Sequence, residues 1–105
     1  MQRGSTGTWQ MVSAGGEAVR AFVPAALRIP AGVKVKLLIS NENPAPAEFE
    51  SFALHREQAI PAHASAAVFV GPLAPGSYAF FDDFHAAVKG TLIAVVPASP
   101  GEAAR

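Results

Sequence analysis

The stretch "PAGVKVKLLISNENPAPAEFES", residues 30–51, decides the fold. Pro30, Ala31 and Gly32 make a turn. After it Val33, Val35 and Leu37 face one way and Lys34 and Lys36 the other, a period of two rather than 3.6. A strand with one apolar and one wetted face is the mark of a half-buried antiparallel sheet. "NENPAPA", 41–47, carries two prolines among short polar residues and can only be a loop. "EFESFALH", 48–55, resumes a strand in which Phe49 points opposite to Glu48 and Glu50.

The same rhythm continues in both directions. Upstream, "TWQMV" (8–12) is a strand, "GG" (15–16) turns the chain, and "EAVRAFV" (17–23) and "AALRI" (25–29) follow. Downstream, "REQAIPAHA" (56–64) reads as irregular, and Pro61 denies it a long helix. "SAAVFVG" (65–71) is a strand and "PLAPG" (72–76) a turn. "SYAFF" (77–81) and "GTLIAVV" (90–96) are the last strands, joined by "DDFHAAVK" (82–89). Single helical turns are open at 55–59 and 86–89, and there is no internal repeat. About seven or eight short strands with turns roughly every 8–12 residues predict an all-β sandwich or small barrel.

The chain of 105 residues is one domain, residues 1–105, with a core over about 8–97 and loose ends. Half of it is apolar, enough to build a real core. Eight basic and eight acidic side chains cancel, so no basic face invites nucleic acid. Cysteine is absent, which excludes disulfides, thiolate metal sites and thiol nucleophiles. No apolar run approaches the roughly 20 residues of a membrane helix. The start "MQRGSTGTWQ" lacks the apolar centre of a signal peptide, and the tail "PASPGEAAR" reads as a frayed end.

Charge is placed unevenly. The only two aspartates, Asp82 and Asp83, sit in "FFDDFH", residues 80–85, among three phenylalanines. Such a pair is commonly a solvated turn, and Glu48 and Glu50 can be the wet face of an edge strand. No phosphate-cradling loop, G-x-S-x-G or H-E-x-x-H motif is present.

Three pieces in order, "FVPAALRIPAGVKVKLLISNEN", "GPLAPGSYAFF" and "KGTLIAV", resemble the cupredoxin-like domain over roughly residues 20–96. The resemblance implies an antiparallel Greek-key β-sandwich. Within that family, "EFESFALHRE", "GPLAPGSYAFF" and the Phe-His of "DDFH" are similar to small periplasmic proteins of bacterial ferrous-iron permease systems. Those proteins tend to carry an acid at the position of Asp83, and Asn where this chain has His55.

Blue copper needs two histidines, a thiolate and a weak methionine. By the resemblance the thiolate position is Asp82, a retained histidine is His85, and the methionine position is Val88. The remaining histidine would come from the strand that here offers Glu48 and Glu50. Type 1 copper is therefore not expected. The metal site implied is Glu48, Glu50, Asp82, Asp83 and His85 at one end of the sandwich. Of the two aspartates, Asp83 is expected to continue the inward face. Carboxylates with one imidazole suit iron, manganese, cupric copper or zinc. His55 and His63 are read as surface and loop residues, Met11 and Trp9 as packing, and Arg56 and Glu57 as a surface or inter-loop contact.

The function implied is binding or oxidation of ferrous iron in the periplasm, as partner of an iron-uptake permease, with ferroxidase-like activity open. A type 2 copper-binding or copper-handling protein is the first alternative, and a metal-free scaffold for protein contacts the second. With so few charges and bare edge strands, a homodimer is also open.

Overall fold

The computed structural model describes residues 8–14 and 21–96. The expected turn at 15–16, the beginning of the 17–23 strand and the tail from 97 onward lie outside the described residues.

Among the described residues nine strands form two sheets: β1 (Thr8–Ala14), β2 (Ala21–Val23), β3 (Ala26–Pro30), β4 (Val35–Asn41), β5 (Ala47–Ser51), β6 (Arg56–Ile60), β7 (Ser65–Val70), β8 (Gly76–Asp82) and β9 (His85–Val95). One sheet has the order β2-β1-β4-β7, the other β3-β9-β8-β5-β6. The all-β sandwich is thus as expected. Most neighbours are antiparallel, but β1 and β4, and β3 and β9, run parallel.

The alternation in β4 buries Val35, Leu37 and Ile39 and leaves Lys34 and Lys36 in water. Between the sheets, Phe22, Phe49 and Phe80 fill the centre. Phe49 and Phe80 stack at 5.0 Å between centroids, and Phe22 meets Phe80 edge-on at 5.2 Å. Both arrangements suit the ring quadrupoles. Met11, Ile29, Ile60 and Leu92 complete the layer, and Trp9 packs against it.

The "NENPAPA" loop is held by a buried amide network. The Asn41 side-chain nitrogen lies 2.9 Å from the Ala45 carbonyl oxygen and 3.0 Å from that of Ile60. Its Oδ1 accepts from the Asn43 backbone N–H at 2.9 Å, and Asn43 Nδ2 donates to Ser13 Oγ. Backbone groups that Pro44 and Pro46 leave outside any ladder are in part satisfied this way.

Three sequence expectations are corrected. Residues 56–60 are not irregular but a strand, β6, at the sheet edge. It looked irregular because only Ile60 reaches the core. The 48–55 strand ends at Ser51, and residues 52–55 make a turn with His55 at φ 55°. Ser51 fastens this turn: its hydroxyl donates to the Ala79 carbonyl at 2.7 Å and accepts from the Leu54 N–H at 3.1 Å. Residues 82–89 are not a connector either. Only Asp83 and Phe84 turn, and β9 begins at His85. The shift of register between Phe81 and Asp82 absorbs the extra length of β9. Neither suggested helical turn is present.

Candidate metal centre

Strand parity separates the two aspartates. Phe80 and Asp82 lie two apart on β8 and share the inner face, so the side chain that turns inward is Asp82, not Asp83. Asp82 is fully buried opposite Phe49. Its Oδ1 accepts from the backbone N–H of Glu48 and from that of Phe84, each at 3.0 Å. Its Oδ2 is buried with no hydrogen-bond partner among the described residues, and His85 Nδ1 stands 3.6 Å away, beyond hydrogen-bond range. His85 itself is exposed.

The other acids gather on the outer face of the five-stranded sheet. Glu48 and Glu50 project from β5, opposite to buried Phe49. Glu57 of β6 pairs directly with Glu50 across the ladder. Asp83 donates its N–H to the Glu48 carbonyl at 2.9 Å, which brings its side chain beside Glu48. Oxygen atoms of Glu48, Glu50, Glu57 and Asp83 all lie within 4.8 Å of one another. Glu48 and Glu50 are half-buried there, Glu57 and Asp83 exposed.

Of the five residues expected from the sequence, the structure therefore brings three together, Glu48, Glu50 and Asp83. It sets Asp82 and His85 apart as a pair at the β8–β9 turn. Glu57 was missed as a member because β6 was missed as a strand. With β5 and β6 read as a hairpin, Glu57 falls opposite Glu50. Arg56, expected to contact Glu57, instead donates to the carbonyls of Phe69 at 2.9 Å and His55 at 3.0 Å. Val88, at the methionine position, is a core residue.

Like charges this close disfavour joint ionisation. Glu48 is pushed up from the usual 4.5 to about 7, first by a hydrogen bond with Glu57, then by partial burial and by the charges of Glu57, Asp83 and Glu50. Glu50 is also raised, first by desolvation, then by the charges of Glu57 and Asp83 and a hydrogen bond with Glu57. Four oxygen donors held this close suit a hard cation, whose charge would relieve their repulsion.

A family model described as the cupredoxin-like domain matches residues 12–94. The chain belongs to the cupredoxin-like domain family. Uncharacterized protein RP394 of Rickettsia prowazekii (strain Madrid E) is 42% identical over 64 residues, covering 61% of this chain and 51% of that protein. The cupredoxin-like chain thus spans about half the length of the curated relative it matches.

Solved structures agree on the fold. The metal-binding domain of the Streptococcus pneumoniae D39 Cu(I)-exporting P-type ATPase CopA, solved with Cu(I), has a TM-score of 0.72 at 14% identity, covering 90% of this chain and 91% of that one. A copper-binding protein solved by NMR in its apo form has a TM-score of 0.74 at 14% identity, with 90% and 93% covered. Auracyanin A, a blue copper protein of Chloroflexus aurantiacus, has a TM-score of 0.70 at 15% identity, with 86% and 99% covered.

A type 1 copper ion does not fit this cupredoxin-like chain. It has no cysteine. Asp82, which the resemblance puts at the thiolate position, faces the core and already accepts two backbone N–H groups.

Proposed function

We propose that this cupredoxin-like protein binds a hard metal ion at Glu48, Glu50, Glu57 and Asp83. On this reading its cargo is ferrous iron, bound or oxidised for a membrane permease in the bacterial periplasm. The observation that carries the ion site is the convergence of four carboxylates within 4.8 Å, where the hydrogen bond with Glu57, burial and the neighbouring charges push Glu48 up to about 7. The iron reading rests in addition on the "EFES" and "FFDDFH" likeness to proteins of ferrous-iron permease systems.

The chemistry follows from the donors. Carboxylate oxygens favour the ferric over the ferrous state, because the higher charge gains more from anionic ligands. That lowers the potential of bound iron, and oxidation of Fe(II) to Fe(III) would need an external one-electron acceptor such as dioxygen, which takes the electron. The cluster faces outward on the sheet, so an ion can enter and leave without opening the sandwich.

A copper-handling role is the second reading. It is favoured by the copper-binding proteins that share the fold and by the Asp82 Oδ2 and His85 Nδ1 pair, a buried carboxylate oxygen without a hydrogen-bond partner beside an imidazole. Thermal unfolding with ferrous iron under exclusion of oxygen, with cupric ion and with zinc separates the two. Iron binding at the cluster raises Tm in wild type and not in the Glu48→Gln, Glu57→Gln double variant. A rise with cupric ion alone, abolished by His85→Ala, supports the copper reading. No rise with any ion overturns both.

A further inference from the structure

Asp82 occupies the position where the family resemblance would place a metal ligand, yet its carboxylate faces away from the outer-face cluster. Phe49 and Asp82 are the last paired residues between β5 and β8. One step further, Asp83 still donates its N–H to the Glu48 carbonyl. In a continued antiparallel ladder the Glu48 N–H would return a bond to the Asp83 carbonyl. It donates to Asp82 Oδ1 instead, at 3.0 Å, and the same oxygen takes the Phe84 N–H. A side chain thus stands in for a main-chain acceptor at the point where β8 turns away.

We infer that Asp82 is a positioning residue for the ion site: its buried carboxylate clamps the β8–β9 turn onto β5 and holds Asp83 beside Glu48. This rests on the carboxylate cluster being the ion site. Two of the four proposed ligands, Glu48 and Asp83, lie on backbone that the clamp ties, and the clamp itself, from Asp82 to Glu48, spans 34 residues of chain. Among the described hydrogen bonds no other side chain ties the 82–84 turn to β5; the Asp83 N–H to the Glu48 carbonyl is the main-chain bond beside it. The orphaned Oδ2 explains why an acid is not required for the clamp. Only Oδ1 does the accepting, and asparagine offers the same oxygen.

The test uses wild type, Asp82→Asn and Asp82→Ala, with amide hydrogen exchange on the metal-free proteins and ferrous or manganous ion titration well below Tm. Asp82→Asn keeps the protection of the Glu48 and Phe84 amides and binds the ion as wild type does. Asp82→Ala loses that protection and binds about 10- to 100-fold more weakly, the range usual for loss of a group that orients a ligand. Should the alanine variant fail to fold, Asp82→Leu, close to Asp in shape but with no acceptor, takes its place. If amide protection is lost while affinity is unchanged, Asp82 is structural only and the inference is overturned, with the ion site standing. Failure of wild type itself to bind overturns the ion site, and the inference with it. Equal weakening in Asp82→Asn and Asp82→Ala also overturns the clamp, since it would make the charge rather than the acceptor the active feature.

Discussion

Glu50 and Glu57 face each other directly across the β5–β6 ladder, two carboxylates in a position where opposite charges would attract. Like charges directly opposite are destabilising in a sheet. Glu48 and Asp83 add two more acids to the same patch. A chain with few charges has concentrated half of its eight acidic residues at one place on one sheet.

The pH dependence of stability should carry this conflict. Glu48 is raised to about 7 in the folded protein, above its ordinary 4.5. Between those values the folded state holds a proton that the unfolded state has released. Stability from this group is therefore full below about 4.5 and is lost as pH rises through 7. Metal-free wild type should melt at a lower temperature at pH 8 than at pH 5. The decline should be smaller in Glu57→Gln, which removes the leading partner of Glu48. Calorimetric melts of the two proteins across that range check it. An equal decline in both would place the pH dependence elsewhere.

Gly90 is a packing constraint of a different kind. A Cβ at this position would meet the Phe80 ring and lie 2.6 Å from the Ala25 carbonyl oxygen. Backbone cannot move aside as a flexible side chain can. The Ala25 carbonyl also accepts the Thr91 N–H at 2.7 Å, so any shift strains that bond. Gly90→Ala should destabilise by about 1–3 kcal/mol, the usual effect of overpacking. Urea unfolding with an unchanged m-value would establish it.

Asn41 should be costly to replace although it does no ion chemistry. Its amide serves the carbonyls of Ala45, in the loop that precedes β5, and of Ile60, at the end of β6, and its Oδ1 serves the Asn43 N–H in the same loop. Asn41→Leu leaves these groups without their partner and should cost about 2–3 kcal/mol. Denaturant titration gives the number. Ion affinity measured well below Tm should change little, because β5 is held independently by β6 and β8.

The fold was legible where burial is one-sided. Val35, Leu37 and Phe49 announce their strands because each alternates with a charged neighbour. β6 was not legible, because an edge strand wetted on its outer face leaves only Ile60 as an apolar signal. The beginning of β9 was hidden for a related reason: His85, Ala86 and Ala87 are all exposed, so no alternation marks them. The candidate site inherits both gaps. Glu48, Glu50 and Asp83 stood out as acids in an uncharged setting, whereas Glu57 becomes a member only through the β5–β6 register. The roles of Asp82 and Asp83 were exchanged in the reading by resemblance. Continuing the parity of Phe80 by two residues would have turned Asp82 inward.

The most direct test is paramagnetic mapping by NMR with manganous ion, a hard cation that broadens nearby amide signals. Substoichiometric addition should selectively broaden the amides of Glu48, Glu50, Glu57 and Asp83, and the Glu48→Gln, Glu57→Gln double variant should lose the effect. Broadening centred on His55 or His63, or none above that of free ion in solution, would contradict an ion site on this face of the sheet.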